Sequence, residues 1–406
     1  MSERIVIVGA GHGAGQVVVS LRHKKFAGEI VLIGEEPYYP YQRPPLSKKF
    51  LAGELPAERL FVKPADFYAD SHVDVRLDTR VTAIDRAGKS VVAAGGETIS
   101  YDRLVLALGA RARQLECPGI ELPGVHYLRS IQDVTDIRKR AGGGRRIVIV
   151  GAGYIGLEVA AVSRQLGMDV TVVEMQDRVM SRVVSPEVAE FYAREHVAHG
   201  VKLLLSAGLS GLSGNASVSA VTLDDSRELP ADLVVVGIGI VPNTELAAAA
   251  GLDVGDGIIV DDQCRSSDPD IFAIGDCTFH PNEMFGRMLR LESVHNAVEQ
   301  AKTAAANLCG EALDYAQVPW FWSDQYDLKL QIAGLSEGYD RTIIRGSPAE
   351  RAFSCVYLRE GRLIAVDAIN APKEFVQSKR LIAEGAIVDP ALLADNGVAL
   401  KEMEYG

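Results

Sequence analysis

Six glycines, set in two near-copies of one pattern, are the residues of this chain best placed to do chemistry. Gly9, Gly11 and Gly13 close the run Arg4-Ile-Val-Ile-Val-Gly-Ala-Gly-His-Gly-Ala14, and Gly151, Gly153 and Gly156 close Arg146-Ile-Val-Ile-Val-Gly-Ala-Gly-Tyr-Ile-Gly156. Glycines at this spacing permit a tight turn and let backbone N–H groups approach a pyrophosphate, while a helix opening behind them adds its positive end. Ala14 stands at the third glycine position of the first copy, a replacement the pattern allows. Two such seats predict two dinucleotides held face to face, with electrons passing between them.

Each copy is followed by an acid at the end of the next apolar run, Glu35 in the first and Glu174 in the second. A carboxylate roughly 20 residues beyond the glycines accepts hydrogen bonds from a ribose 2′-OH. Ordinary strand–helix turns would not require these acids. Glu174 also repels a 2′-phosphate, so the second seat is expected to favour NADH over NADPH. Arg178 and Arg182 follow closely and weigh the other way, unless they are solvated loop charges.

These residues need a particular set of elements to hold them. The pattern predicts a strand over 4–8, a helix over 13–25 and a strand over 29–34. A stiff Tyr- and Pro-rich loop follows, Tyr38-Tyr-Pro-Tyr-Gln-Arg-Pro-Pro-Leu-Ser-Lys48. Short strands are expected over 73–110. The second copy predicts a strand over 145–150, a helix over 155–166 and strands over 170–174 and 233–239. The Ile-Gly-Asp segment at 274–276 ends a further strand, and a helix is expected over 293–308. Beyond Pro319 short apolar runs split by Gly and charged turns predict an antiparallel meander, then a helix near 374–385.

The fold class expected is therefore α/β, with two Rossmann-like dinucleotide-binding domains and a C-terminal α+β domain. Residues 1–112 and 242–318 are assigned to a discontinuous first nucleotide domain, 113–241 to the second and 319–406 to the C-terminal domain. The chain has 406 residues, which suits two or three domains, and a net charge of −12, which argues against nucleic-acid or anionic-membrane partners. No apolar run reaches membrane-spanning length. Cys117, Cys264, Cys277, Cys309 and Cys355 are scattered, with no metal-ligand spacing. That predicts no metal site and a reducing, cytoplasmic setting.

Three further residues have plain readings when taken singly. Asp276 could cap the helix behind it, and Lys48 and Glu158 could be surface charges. Together with their neighbours they carry a resemblance. Arg43-Pro-Pro-Leu-Ser-Lys48, Gly151-Ala-Gly-Tyr-Ile-Gly-Leu-Glu158, Ile274-Gly-Asp-Cys277, Glu292-Ser-Val-His-Asn-Ala297 and Pro319-Trp-Phe-Trp-Ser-Asp-Gln325 resemble the FAD-dependent NADH:ferredoxin reductases of bacterial P450 and dioxygenase systems. The resemblance spans essentially the whole chain. It departs at Gly13-Ala14, where several relatives have the two residues reversed, and at His295, to which no role is assigned.

The resemblance implies a flavin disulfide reductase-like fold without the redox disulfide, because the loop after Glu35 holds no cysteine. It places FAD on Gly9, Gly11, Gly13 and Ala14, with Glu35 at the ribose, Lys48 near the isoalloxazine, Val81 at the adenine and Arg43 also among its contacts. Arg129 would lie near the flavin phosphate or ribityl chain, Asp276 at ribitol, Val294 at the pyrimidine edge and Trp322 by the isoalloxazine. NADH would be held by Gly151, Gly153, Ile155, Gly156, Glu174 and Gly239. Lys48 and Glu158 would be the catalytic pair.

The implied partner is a [2Fe–2S] ferredoxin, with a P450 or dioxygenase downstream and Arg287 and Arg290 as its docking charges. A solvated turn is the plain reading of these two arginines. The oligomeric state expected is a monomer or weak dimer. Two other classes stay open, an NADH oxidase using O₂ directly and an NADH-sensing flavoprotein of the apoptosis-inducing-factor type.

Overall fold

The duplication read in the glycines extends to the backbone around them. The computed structural model describes residues 3–403. They divide into two compact units, one of residues 3–43, 57–111 and 241–319, the other of residues 44–56, 112–240 and 320–403.

In the first unit five parallel strands lie in the order Ile271–Ala273, Arg103–Leu106, Arg4–Val8, Glu29–Ile33 and Val73–Arg76. In the second unit the order is Val125–Tyr127, Leu233–Val236, Arg146–Val150, Asp169–Val173 and Lys202–Leu204, again all parallel. After its leading arginine each central strand is β-branched and buried, as a sheet covered on both faces demands. The outermost strand beside Arg103–Leu106 comes from late in the chain, whereas its counterpart Val125–Tyr127 precedes the second glycine run.

Equivalent hydrogen bonds recur in both copies. Gly9 N–H donates to Ile33 O and Gly151 N–H to Val173 O, each at 2.8 Å, and Ala107 N–H donates to Val8 O as Gly237 N–H does to Val150 O. Each unit also carries a three-stranded antiparallel sheet, formed by Val81–Asp85, Ser90–Ala93 and Thr98–Ser100 in the first and by Leu209–Gly214, Val218–Leu223 and Glu228–Pro230 in the second.

The helices behind the glycines run over His12–His23 and Tyr154–Gln165, a residue earlier than the apolar pattern suggested. In both, the middle glycine is the extended residue just before the helix. The first ends sooner than expected because Lys25 turns to positive φ.

The second unit continues into a five-stranded antiparallel sheet in the order Trp320–Gln325, Leu328–Gly334, Arg362–Ile369, Ala352–Arg359 and Arg341–Ser347. Helix Pro372–Ala383 buries Phe375, Leu381 and Ile382. The sequence pattern gave the last four strands; Trp320–Gln325 is an added edge strand, half-buried at its tryptophans.

Candidate active site

The glycine turns are shaped for a ligand and closed to side chains where they must pack. Gly9 and Gly151 have φ near +104° and +103°, and a Cβ there would meet Ala107 O or Gly237 O at 2.2 and 2.4 Å. A Cβ at Gly11 or Gly153 meets nothing within 4 Å. Open space over a helix N-terminus, backed by free backbone N–H groups, is the cradle a pyrophosphate needs. The third positions differ. A Cβ on Gly156 would stand 2.0 Å from Gly151 O, whereas Ala14 already carries one and is fully buried.

The first unit brings together most of the residues expected at FAD. Glu35, two residues beyond the strand Glu29–Ile33, is exposed, with Arg80 3.8 Å away. Val81 is buried at the start of its strand. Arg43 donates to Glu36 Oε1 at 2.9 Å and to Tyr41 OH at 3.0 Å. Burial works against its charge, but Tyr41, Glu36 and Asp276 hold it up. Asp276 sits in the short 3₁₀ turn Gly275–Cys277. It is not the cap of the following helix: Ser293 is, accepting from Asn296 N–H at 3.1 Å, with Val294 as the first helical residue. Two orphaned polar atoms, Asn296 Oδ1 and Gln300 Nε2, are buried on this helix, and His12 Nδ1 is buried in the first glycine turn. Unpaired buried groups of this kind are suited to a polar cofactor rather than to an apolar core.

Arg287 and Arg290 also lie in the first unit. Arg287 is exposed on the strand Arg287–Leu289. Arg290 is only 16 % exposed and is paired with Asp256, at 3.1 Å, and with Glu292. A partner approaching here meets two arginines among acids, not a run of positive charge.

The second unit holds the residues expected at NADH. Glu174 Oε2 accepts from Ala152 N–H at 2.7 Å and Oε1 from Gln176 N–H at 2.9 Å, so this acid also braces the glycine turn. Ile155 is 39 % exposed in the first turn of the helix, unusual for its size. Gly239 takes φ +105° and its carbonyl accepts from Arg113 N–H. Arg182 is exposed, its guanidinium about 4.0 Å from where a Cβ on Gly239 would project. Arg178 instead donates to Ser181 O and stands 3.9 Å from Asp177.

Lys48 and Glu158 are not surface charges. Lys48 Nζ lies 2.8 Å from Glu158 Oε2, and the glutamate, one turn into its helix, is almost wholly buried. Ser47 Oγ donates to Glu158 Oε2 at 2.5 Å and Ser323 Oγ to Oε1 at 2.6 Å. The 3₁₀ turn Pro44–Ser47 positions the first serine and the lysine, and the edge strand positions the second. Trp322 is on the same strand, its ring 5.4 Å from Trp320. Arg129 lies just before Ser130, the cap of the helix Ile131–Arg140; its N–H and that of Ser130 both donate to Asp133, which fixes this entry.

Each unit carries one glycine turn, and the second also holds the Lys48–Glu158 pair. A family model described as pyridine nucleotide-disulphide oxidoreductase matches residues 3–301, and one described as reductase C-terminal matches residues 320–404. The chain belongs to the pyridine nucleotide-disulphide oxidoreductase family. Putidaredoxin reductase from Pseudomonas putida is 43 % identical over 408 residues, covering 99 % of this chain and 97 % of its own. A ferredoxin–NAD(P)⁺ reductase from Sphingomonas sp. is 44 % identical over 391 residues, covering 96 % and 94 %. The structure of a covalent putidaredoxin reductase–putidaredoxin complex superposes with a TM-score of 0.96 at 43 % identity, covering 98 % of this chain and 97 % of that one.

As a member of that family the protein is an FAD-dependent oxidoreductase. It lacks the disulphide of the family name: all five cysteines are free and none lies in the loop after Glu35. Among the described residues no group of side chains could hold a metal, and no helix is long and apolar enough to cross a membrane.

Reading the sequence missed Ser47 and Ser323 as partners of Glu158. Ser47 adjoins Lys48, but nothing in the spacing links Ser323 to either. Ser323 and Gln325 stand two apart and share a face, a relation that follows only once Trp320–Gln325 is known to be a strand.

Proposed function

We propose that this protein is an NADH-dependent ferredoxin reductase, catalysing NADH + 2 oxidised ferredoxin → NAD⁺ + H⁺ + 2 reduced ferredoxin. When bound, FAD supplies the switch from two-electron to one-electron chemistry. The observation that carries the reading is the ion pair of Lys48 with the buried Glu158, with no redox-active cysteine pair in the loop that supplies Lys48. The first glycine turn, with Glu35, Arg43, Val81, Asp276 and Val294, is assigned to FAD, together with Lys48, Arg129 and Trp322. The second, with Ile155, Glu174 and Gly239, is assigned to NADH. Glu174 favours the free 2′-hydroxyl of NADH.

Lys48 holds a positive charge at a fixed place, where it would stabilise negative charge on a bound flavin. Glu158 holds the ammonium there, and the two serines hold Glu158. With no cysteine pair to receive them, the electrons leave to a separate carrier, and we assign that role to a [2Fe–2S] ferredoxin serving a P450 or dioxygenase. Arg287 and Arg290 are its proposed contacts. The three-domain division made from the sequence is retained as the functional one.

The test is holoprotein mixed with NADH and a [2Fe–2S] ferredoxin, under air and under argon. Fast anaerobic ferredoxin reduction is expected. Turnover that requires O₂ would replace this reading with an oxidase, and a long-lived NAD–flavin complex inert to both acceptors with a sensor.

A further inference from the structure

The polar chain behind Glu158 does not stop at Ser323. Gln325 Nε2 donates to Ser323 Oγ at 3.2 Å, Gln325 Oε1 lies 2.8 Å from His196 Nε2, and Tyr326 OH lies 3.0 Å from His196 Nδ1. Ser323, Gln325 and His196 are buried. His196 comes from the helix Pro186–Ala198, the others from the edge strand and the turn after it. Outside, exposed His199 stacks on Tyr326 with ring centroids 3.7 Å apart. A continuous line of hydrogen bonds thus runs from the surface to the buried carboxylate.

The bonds have one direction. An amide oxygen only accepts, so His196 Nε2 carries the hydrogen and Nδ1 accepts from Tyr326. Burial, aided slightly by His199 and opposed by the Gln325 bond, lowers His196 to about 4, so the imidazole is neutral near pH 7. The groups facing it are Gln325, Tyr326 and His199. Tyrosine gives to histidine, histidine to glutamine, glutamine to serine, serine to Glu158. A proton cannot hop along this line, because the amide in the middle would have to become an imidic acid. The line carries orientation instead.

We infer that Ser323, Gln325 and His196 are positioning residues, which lock Glu158 in one rotamer and through it hold the Lys48 ammonium in place. The inference rests on the proposed role of Lys48 beside the flavin. It extends the site beyond the residues that touch cofactor, to a helix otherwise counted as scaffold.

Two measurements test it. Histidine ¹⁵N NMR of the ligand-free chain, with His196 assigned through His196→Gln, should show the Nε2–H tautomer and no protonation at or above about pH 5.5. The opposite tautomer, or titration near 6.5, would overturn the proposal.

In the FAD-loaded enzyme, Ser323→Ala and Gln325→Leu should each slow flavin reduction at saturating NADH by about three- to tenfold, with the NADH Kd unchanged. Ser323→Thr, which keeps the hydroxyl, should restore the rate. In a Glu158→Gln background Gln325→Leu should have no further effect. Full additivity of the two changes would overturn the proposal, because it would mean that Gln325 acts independently of Glu158. If wild type itself takes up no FAD, the reductase reading fails, and the tautomer measurement still decides the hydrogen-bond line.

Discussion

Lys48 Nζ and Glu158 Oε2 stand 2.8 Å apart, with the lysine side chain 16 % exposed and the glutamate 4 %. Replacing Lys48 by Met should slow reduction of bound flavin by NADH by about tenfold or more while leaving FAD in place, read by anaerobic stopped flow. Unchanged reduction by a flavin-replete variant would remove the catalytic role. Glu158→Gln leaves the ammonium with the Pro44 carbonyl at 3.3 Å. It should also cost roughly 1–3 kcal/mol of stability, measured by denaturant unfolding.

Glu174 serves two backbone N–H groups as well as the expected ribose. Glu174→Ala should therefore loosen the second glycine turn and raise the KM for NADH by about tenfold. NADPH should suffer less, especially with Arg182 exposed nearby. The ratio of kcat/KM for the two nucleotides is the measurement, and an unaltered ratio would remove Glu174 from cofactor choice.

At the proposed docking surface Arg287 and Arg290 differ. Arg290 is tied to Asp256 and Glu292, so Arg290→Glu would set three acids together and disturb the fold. Arg287→Glu is the cleaner probe. It should raise the KM for an acidic ferredoxin about two- to fivefold, with a weaker salt dependence and intact flavin reduction by NADH.

Two buried groups of the second unit oppose each other in pH dependence. His196, lowered to about 4 from 6.5, binds fewer protons folded than unfolded, so its contribution to stability is lost as pH falls from 6.5 toward 4. Asp367, fully buried and hydrogen-bonded by Tyr357 OH at 2.5 Å, is pushed up to about 7 by burial. It binds more protons folded, so its contribution is lost as pH rises from about 4 to 7. His196→Gln should leave a Tm that falls from about pH 4 to 7, and Asp367→Asn one that rises over about pH 4–6.5, each by roughly 1–3 kcal/mol in stability. Matching profiles for the two variants would contradict both assignments.

Gly156→Ala places a Cβ against Gly151 O. It should cost roughly 2 kcal/mol or more and weaken NADH binding, whereas FAD uptake at the first turn should persist. Ala14 in the matching place shows that the first copy has room for the methyl group. Calorimetry of NADH binding, alongside the flavin content of the purified variant, separates the two effects.

Most of the fold was legible because its signals are local. A β-branched run ending in Gly-Ala-Gly writes strand, turn and helix into a dozen residues, and this happens twice. Helix ends were read a residue or two off, since Gly11 and Gly153 start their helices from extended backbone and Lys25 ends one at positive φ. Asp276 had a sound local reading as a helix cap, which Ser293 supersedes. The edge strand Trp320–Gln325 was missed as a strand because its aromatic and polar residues do not alternate cleanly.

What the sequence determined by itself is the pair of nucleotide seats, because the spacing of glycine and acid is a property of contiguous chain. What only the tertiary structure decided is the environment of Lys48 and Glu158. Each is an ordinary charge in its own segment, and each becomes a fixed, buried partner only when a 3₁₀ turn, a helix and an edge strand from three distant stretches converge. Desolvation and hydrogen-bond direction arise from that convergence, and no local pattern encodes them.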